Sequence, residues 1–270
     1  MSTLQFAYEM RTDFADPVWN HHYTLKCIPE NNERQRIEDL CVKIEPEGIF
    51  EKERDNFGNA VIFGSISDRH DYFAVSVTGK AATGLSDREN VKEPLRLGSY
   101  RVLSSFTVPG DGLKRYFVSL PLGQTETNYE KALLIMESLA EDYRYCPGIT
   151  TIQTTAEEAW KLGAGVCQDW CHIMLALCRM AQIPCRYVVG MLVGEGYSHA
   201  WVEIEDHGYW YAMDPTNHLV VQEEHIRISC GRDYHDTIIS KGIYTGSAGQ
   251  RQDIRVCVTA LPPQNSQGVF

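Results

Sequence analysis

The segment GAGVCQDWCHIMLALCRMAQIPCRYVVG, Gly163 to Gly190, limits the folds open to this chain more than any other. Its helical part, from about Cys167 to Gln182, is apolar on nearly every side, so it must lie inside a domain with other elements around it. Pro184 ends the helix, and CRYVVGMLV follows as a buried strand. Cys167 stands at the helix start, just behind two glycines, where backbone N–H groups lack intrahelical acceptors and the dipole is positive. A packing residue gains nothing there. A thiolate does, because a helix N-terminus and an imidazolium together lower a thiol pKa from ~8.5 by several units.

Upstream, HHYTLKCIP, RIEDLCVKIEP, AVIFGSIS and DYFAVSVTGKA are short β-branched or aromatic runs between turn clusters, so residues 1 to about 85 read as antiparallel strands. Gly58-Asn59 within DNFGNAV marks a hairpin. Residues 86–124 are polar, carry glycine and proline, and show no clear period. The chain therefore divides into an N-terminal antiparallel β domain, 1–100, a linker, 101–124, and a catalytic domain, 125–270. In the last, Thr127–Glu130 and Thr155–Glu158 have capping-box spacing before helical segments, and Gly163 closes the second. CRYVVGMLV, HAWVEIE and YWYAMDP then read as strands. Helices followed by an antiparallel sheet make the fold class α+β.

Composition narrows the partners. A net charge of −11 argues against nucleic acid or an anionic membrane surface. The first residues lack the basic and apolar blocks of a signal peptide, and no run approaches the ~18 apolar residues of a membrane span. The expectation is a soluble, cytoplasmic protein. Nine cysteines, an odd number without close-spaced pairs, fit buried thiols in a reducing compartment. Asp13, His21, His22 and His70 are scattered and read as solvated or strand-end residues.

Three residues stand at element boundaries: Cys167 opens the helix, His199 opens HAWVEIE, and Asp214 closes YWYAMDP. Residues at element ends point into clefts on a rigid scaffold. Adjacent strands would bring His199 to Asp214, and the sheet edge would meet the helix start. The thiolate would then be the nucleophile, the imidazole its base and proton donor, and the carboxylate the group that orients the imidazole. The Cys167 backbone N–H would serve the oxyanion hole, with Tyr145 and Gln168 as candidates for a second donor. Gly231–Tyr234 reads as a loop beside the cleft. A zinc site at Cys167, Cys171 and His172 ranks lower, because C-x3-C inside a helix lacks the turn geometry of zinc ligands and no second pair follows. Cys171 and Cys178 share a helix face as packing residues.

These stretches resemble a known family. GVCQDWCHIMLALCRMAQIPCRYVVGML, SHAWVEI and AMDPTNH look like the core of the transglutaminase-like superfamily. DNFGNAV, TTAEEAW, HIRISCGRDYHD and GIYTGSAGQ look like its bacterial branch, which carries a β domain before that core and is usually described as transglutaminase-like or cysteine protease. The resemblance implies a papain-like core without the papain signature. It assigns nucleophile, base and orienting roles to Cys167, His199 and Asp214. It also implies acyl transfer from a peptide, protein or amide substrate with no cofactor. Water as acceptor is favoured over an amine, because nothing in the sequence resembles the calcium sites of animal cross-linking enzymes. A non-catalytic binding module on the same core is the alternative of a different class.

Overall fold

The computed structural model describes residues 1–247 and 249–262. Strand β1 (Ser2–Leu25) is the spine of the first sheet. Its alternating burial places Leu4, Phe6, Tyr8 and Met10 on an inner face, as a half-buried strand requires. With it come β2 (Gln35–Glu45), β3 (Ile49–Arg54), β4 (Ala60–Ile66) and β5 (His70–Thr83). The first half of β1 pairs antiparallel with β5, which also takes β2, and the second half pairs with β4. The β3–β4 hairpin turns at the expected Gly58-Asn59, where the Asp55 carboxylate accepts from the N–H groups of Phe57 (2.8 Å) and Asn59 (3.0 Å).

The middle of the chain holds β6 (Arg88–Asn90), α1 (Leu97–Tyr100), α2 (Asp111–Ser119), α3 (Asn128–Asp142), β7 (Arg144–Tyr145), α4 (Ala156–Leu162), β8 (Ala164–Gly165) and α5 (Cys167–Met180). Both expected capping boxes form, Thr127 with Glu130 and Thr155 with Glu158. Then follow β9 (Cys185–Leu192), β10 (Gly194–Gly196), β11 (His199–Asp206), β12 (Tyr209–Asp214), β13 (Leu219–Val220), β14 (His225–Gly231), α6 (Tyr234–Thr237), β15 (Ser240–Thr245) and β16 (Gln250–Ala260). The second sheet runs β13-β12-β11-β9-β14, all antiparallel. Helix α5 packs on its Cys185, Tyr187, Val189, Ala200, Val202 and Ile204 side, with Trp170 through Cys178 all buried. The architecture is α+β, as the order of helices and strands implied.

The domain boundaries differ from those expected. Strands β15 and β16 pair with β1, so Ser240–Thr245 and Gln250–Ala260 complete the first sheet rather than the second domain. Nothing local could announce this, because a strand's partner is chosen by tertiary packing. Residues 101–124 are not a linker either. Helix α2 buries Leu113 in the α5 core, and the Glu157 carboxylate caps it, accepting from the N–H groups of Gly110 (3.0 Å), Gly112 (2.9 Å) and Leu113 (3.0 Å). Burial alone would raise the Glu157 pKa, but these N–H groups hold it below its ordinary value. Glu157→Ala should therefore destabilise the fold by about 2 kcal/mol, since one buried and two half-buried donors lose their acceptor. A urea titration of parent and variant measures it. The carboxylate's contribution is present above its unfolded pKa of ~4.3 and lost as pH falls below it.

His21 is not where the sequence placed it, whereas His70 does stand at a strand end, opening β5. His21 and His70 are buried, and their Nδ1 and Nε2 atoms share a hydrogen bond of 3.2 Å inside an aromatic cluster with Phe14 and Phe73. Forty-nine residues separate them in sequence, and the β1 and β5 pairing closes the gap.

Candidate active site

Four backbone segments meet at the start of α5. The turn before it is tight: a Cβ on Gly165 would collide with the Asp169 carboxylate and the Tyr143 hydroxyl, so only glycine fits. Asp169 then fixes the first turn, its Oδ2 accepting from Val166 N–H (2.8 Å) and Thr150 Oγ1–H (2.7 Å). Cys167 is the first helical residue and is partly exposed. Its N–H belongs to the first turn, whose donors have no intrahelical acceptor.

The sheet supplies the rest. β11 and β12 are in register with Val202 opposite Met213, which sets Asp214 across from Trp201. His199 lies two residues further along β11, on the same face as Trp201 and diagonal to Asp214. The diagonal is closed by the side chains, with 2.7 Å between His199 Nε2 and Asp214 Oδ2. Asp214 is fully buried and its carboxylate is saturated with donors. Oδ1 accepts from the N–H groups of Thr216 (3.0 Å) and Asn217 (3.2 Å), and Oδ2 from Asn217 Nδ2 (2.7 Å) and His225 Nε2 (3.0 Å) as well as His199. Burial would raise its pKa, yet the two imidazoles and Asn217 hold it well below the usual carboxylate range. Asp214 is thus an anion, and each ring must donate to it.

The two histidines respond in opposite ways. Burial disfavours the charged form of both. At His199 the hydrogen bonds to Asp214 and to Cys167, and the negative charge on each, outweigh it and raise the pKa to about 10. At His225 burial wins, and the pKa falls below its ordinary value. His199 is the imidazolium, held between the carboxylate and the thiol.

Cys167, His199 and Asp214 are therefore brought together. Other expectations fare differently. Tyr145 reaches the site because β7 pairs parallel with β8, two residues from Cys167. Burial, and then negative charge on Cys167, raise its pKa, so its hydroxyl stays a donor. Gln168 donates its amide to Ile152 O at 3.1 Å and is engaged elsewhere. Gly231–Tyr234 braces the helix from behind: Arg179 donates to Arg232 O, and Tyr234 N–H to His172 Nε2 at 3.3 Å. That bond, with Phe106 stacked on the ring at 4.6 Å, accounts for His172, so the residues of the zinc alternative do not converge. Cys171 and Cys178 are fully buried. Among the described residues, one group has donor atoms close enough for a cation, His199, Asp214 and His225, all within 4.8 Å. Both Nε2 atoms already spend their protons on Asp214, which makes it a hydrogen-bond relay rather than a ligand set.

Residues 118–215 match the family model of the transglutaminase-like superfamily, and residues 4–82 match that of the bacterial transglutaminase-like N-terminal region. The chain belongs to the transglutaminase-like superfamily. Its fold is similar to that of a candidate cysteine protease from Cytophaga hutchinsonii, with a TM-score of 0.79 and 22% identity over 100% of this chain and 94% of that one. In sequence, this transglutaminase-like chain is 39% identical over 127 residues to the uncharacterized protein ML0607 of Mycobacterium leprae, covering 43% of this chain and 45% of that protein. It is 33% identical over 134 residues to the uncharacterized protein Rv2569c of Mycobacterium tuberculosis, covering 43% of each. The match spans less than half the length of these curated relatives. Among the described residues no helix is long and apolar enough to cross a membrane.

His225 is the site residue that sequence reasoning missed. The available signal was a third histidine opening a strand, eleven residues beyond Asp214.

Proposed function

We propose that this superfamily member is a thiol enzyme that hydrolyses peptide or amide bonds through a Cys167 thioester. The observation that carries the reading is the line from helix start to Cys167 to His199 to Asp214, with its 2.7 Å imidazole–carboxylate bond. The Cys167 thiolate attacks the carbonyl carbon, and the new C–S bond turns the carbonyl oxygen into an oxyanion. The Cys167 N–H and the Tyr145 hydroxyl are the donors offered to it. The intermediate collapses, the C–N bond breaks, and His199 gives its proton to the departing amine. Water then attacks the thioester, His199 takes its proton, and the carboxylic acid leaves with Cys167 restored. Substrates are peptides, proteins or amides. No cofactor, nucleic acid or membrane enters the scheme. A cytoplasmic setting belongs to the same reading, supported by nine free cysteines.

Labelling separates this reading from a binding module. Brief iodoacetamide treatment of native protein at about pH 6, followed by peptide mapping, should modify Cys167 first. Cys41, exposed on β2, is the competitor that exposure alone would favour. Labelling of Cys41 ahead of Cys167 contradicts the assignment. The acceptor is tested by incubating glutamine-containing peptides with a fluorescent amine: hydrolysis releases acid or ammonia without incorporation, whereas amine incorporation makes the protein a transglutaminase.

A further inference from the structure

The second histidine on Asp214 has no place in the three-residue scheme, and the surroundings restrict what it can do. His225 is buried, its Nε2 lies 3.0 Å from Asp214 Oδ2, and the Trp201 ring closes edge-on at 5.2 Å. Its Nδ1 is buried and has no hydrogen-bond partner among the described residues. A neutral ring tolerates that, because only a lone pair is left over. An imidazolium would bury an N–H with no acceptor, at the cost of a lost hydrogen bond. The groups facing it are Asp214 from β12, His199 from β11 and Arg34 from the connection between β1 and β2. Two of these become or remain cations, which also opposes a charge on His225. The surroundings of His225 favour a neutral ring that donates from Nε2.

We propose that His225 is a positioning residue that acts through Asp214, stabilising the buried carboxylate whenever His199 has released its proton. This rests on the Cys167, His199 and Asp214 reading above. While His199 is an imidazolium, Asp214 has a charged partner. When His199 gives its proton to the leaving amine, Asp214 becomes a fully buried anion held only by neutral donors. His225 is the donor that shares an oxygen with His199, so it lowers the cost of that step. Without it the carboxylate would keep the proton on His199 more tightly, and the amine would leave more slowly.

The same geometry gives the N-terminal sheet a part in the chemistry. Gln35 clamps β14 two residues from His225, its Oε1 accepting from Arg227 N–H at 2.7 Å and its Nε2 donating to Arg227 O at 2.8 Å. On the other side Thr83 Oγ1 donates to Glu223 O, and Arg34 to Val221 O. The strand that carries His225 is thus held from β2, and the segment leading into it from β5 and from Arg34.

The test is an imidazole NMR titration of His199 in the full chain carrying Cys167→Ala, which removes the coupled thiol. The groups then facing His199 are Asp214 and His225. Adding His225→Leu deletes the donor and should raise the His199 pKa by about 0.5–1 unit. His225→Gln keeps an N–H near the position of Nε2 and should leave the titration unmoved. With Cys167 present, kcat should fall in the leucine variant, with KM unchanged, and recover in the glutamine variant. If the leucine variant fails to fold, His225→Met replaces it. A lower melting temperature with an unmoved or lowered His199 titration would show a packing role and overturn the proposal. If the Cys167→Ala protein itself retained turnover, the mechanism above would fall, while the titration would still decide what His225 does to His199.

Discussion

Cys167→Ala should remove turnover, by on the order of 10⁴-fold or more, and leave the fold in place. The size follows from the role, since a covalent mechanism without its nucleophile retains only binding and oxyanion stabilisation. The intact fold follows from the position. Cys167 is partly exposed at the first residue of α5, and that turn is anchored by Asp169 through Val166 and Thr150, not by the thiol. The cavity is small, and the melting temperature should stay within a few degrees of the parent. Truncation of Met174, fully buried in the middle of the same helix, provides the contrast and should cost about 2–5 kcal/mol. Turnover and thermal unfolding measured on the same preparations decide it. Parental turnover in the alanine protein removes Cys167 from the mechanism.

Asp214→Asn gives the second large effect, and here the sign has to be worked out. His199 titrates at about 10 in the folded protein because Asp214 and Cys167 outweigh its burial. Removing the carboxylate charge withdraws the first of these, and the imidazolium is lost at lower pH. The thiolate then loses its cation over the neutral range, so the pH at which Cys167 becomes alkylatable rises. Turnover should fall by about 10²–10⁴-fold. There is a second expected result. On folding, His199 gains proton affinity, so its contribution to stability is full below its unfolded value of ~6.5 and is lost as pH rises through the folded value. The parent should lose stability progressively between those limits, and this decline should shrink in the asparagine variant, where Cys167 alone still favours the imidazolium. The variant also turns an amide N–H₂ toward donors that the carboxylate accepted, and should lose about 1–3 kcal/mol overall. Iodoacetamide rates across pH, with thermal melts on the same samples, give both readings. Superimposable alkylation curves would leave a Cys–His pair and take Asp214 out of the chemistry.

The difference between the two histidines of Asp214 shows where legibility stops. His199 could be found because it opens a strand of strong β pattern, at a spacing that adjacent antiparallel strands close. His225 opens a strand too, but β14 reaches Asp214 only by lying on the far side of β9, an order of strands that local sequence does not encode. Its neutrality is further removed from sequence, because it depends on an unpartnered Nδ1 and on Arg34 from the other domain. Glu157 is similar. Its spacing in TAEE reads as the first turn of α4, and nothing there says that the carboxylate serves the N-terminus of α2, 44 to 47 residues earlier.

By itself the sequence determined the elements and the chemistry at their ends: a helix too apolar to lie at a surface, a thiol at its start, capping boxes, and a histidine and an aspartate on adjoining strands. These are consequences of local periodicity and backbone hydrogen bonding, which act over a few residues. Tertiary structure alone decided which strands share a sheet, and so returned β15 and β16 to the N-terminal sheet and drew 101–124 into the core around α5. It also decided which buried groups carry charge. That choice depends on desolvation and on partners distant in sequence: Asp214 an anion, His199 a cation, His225 neutral.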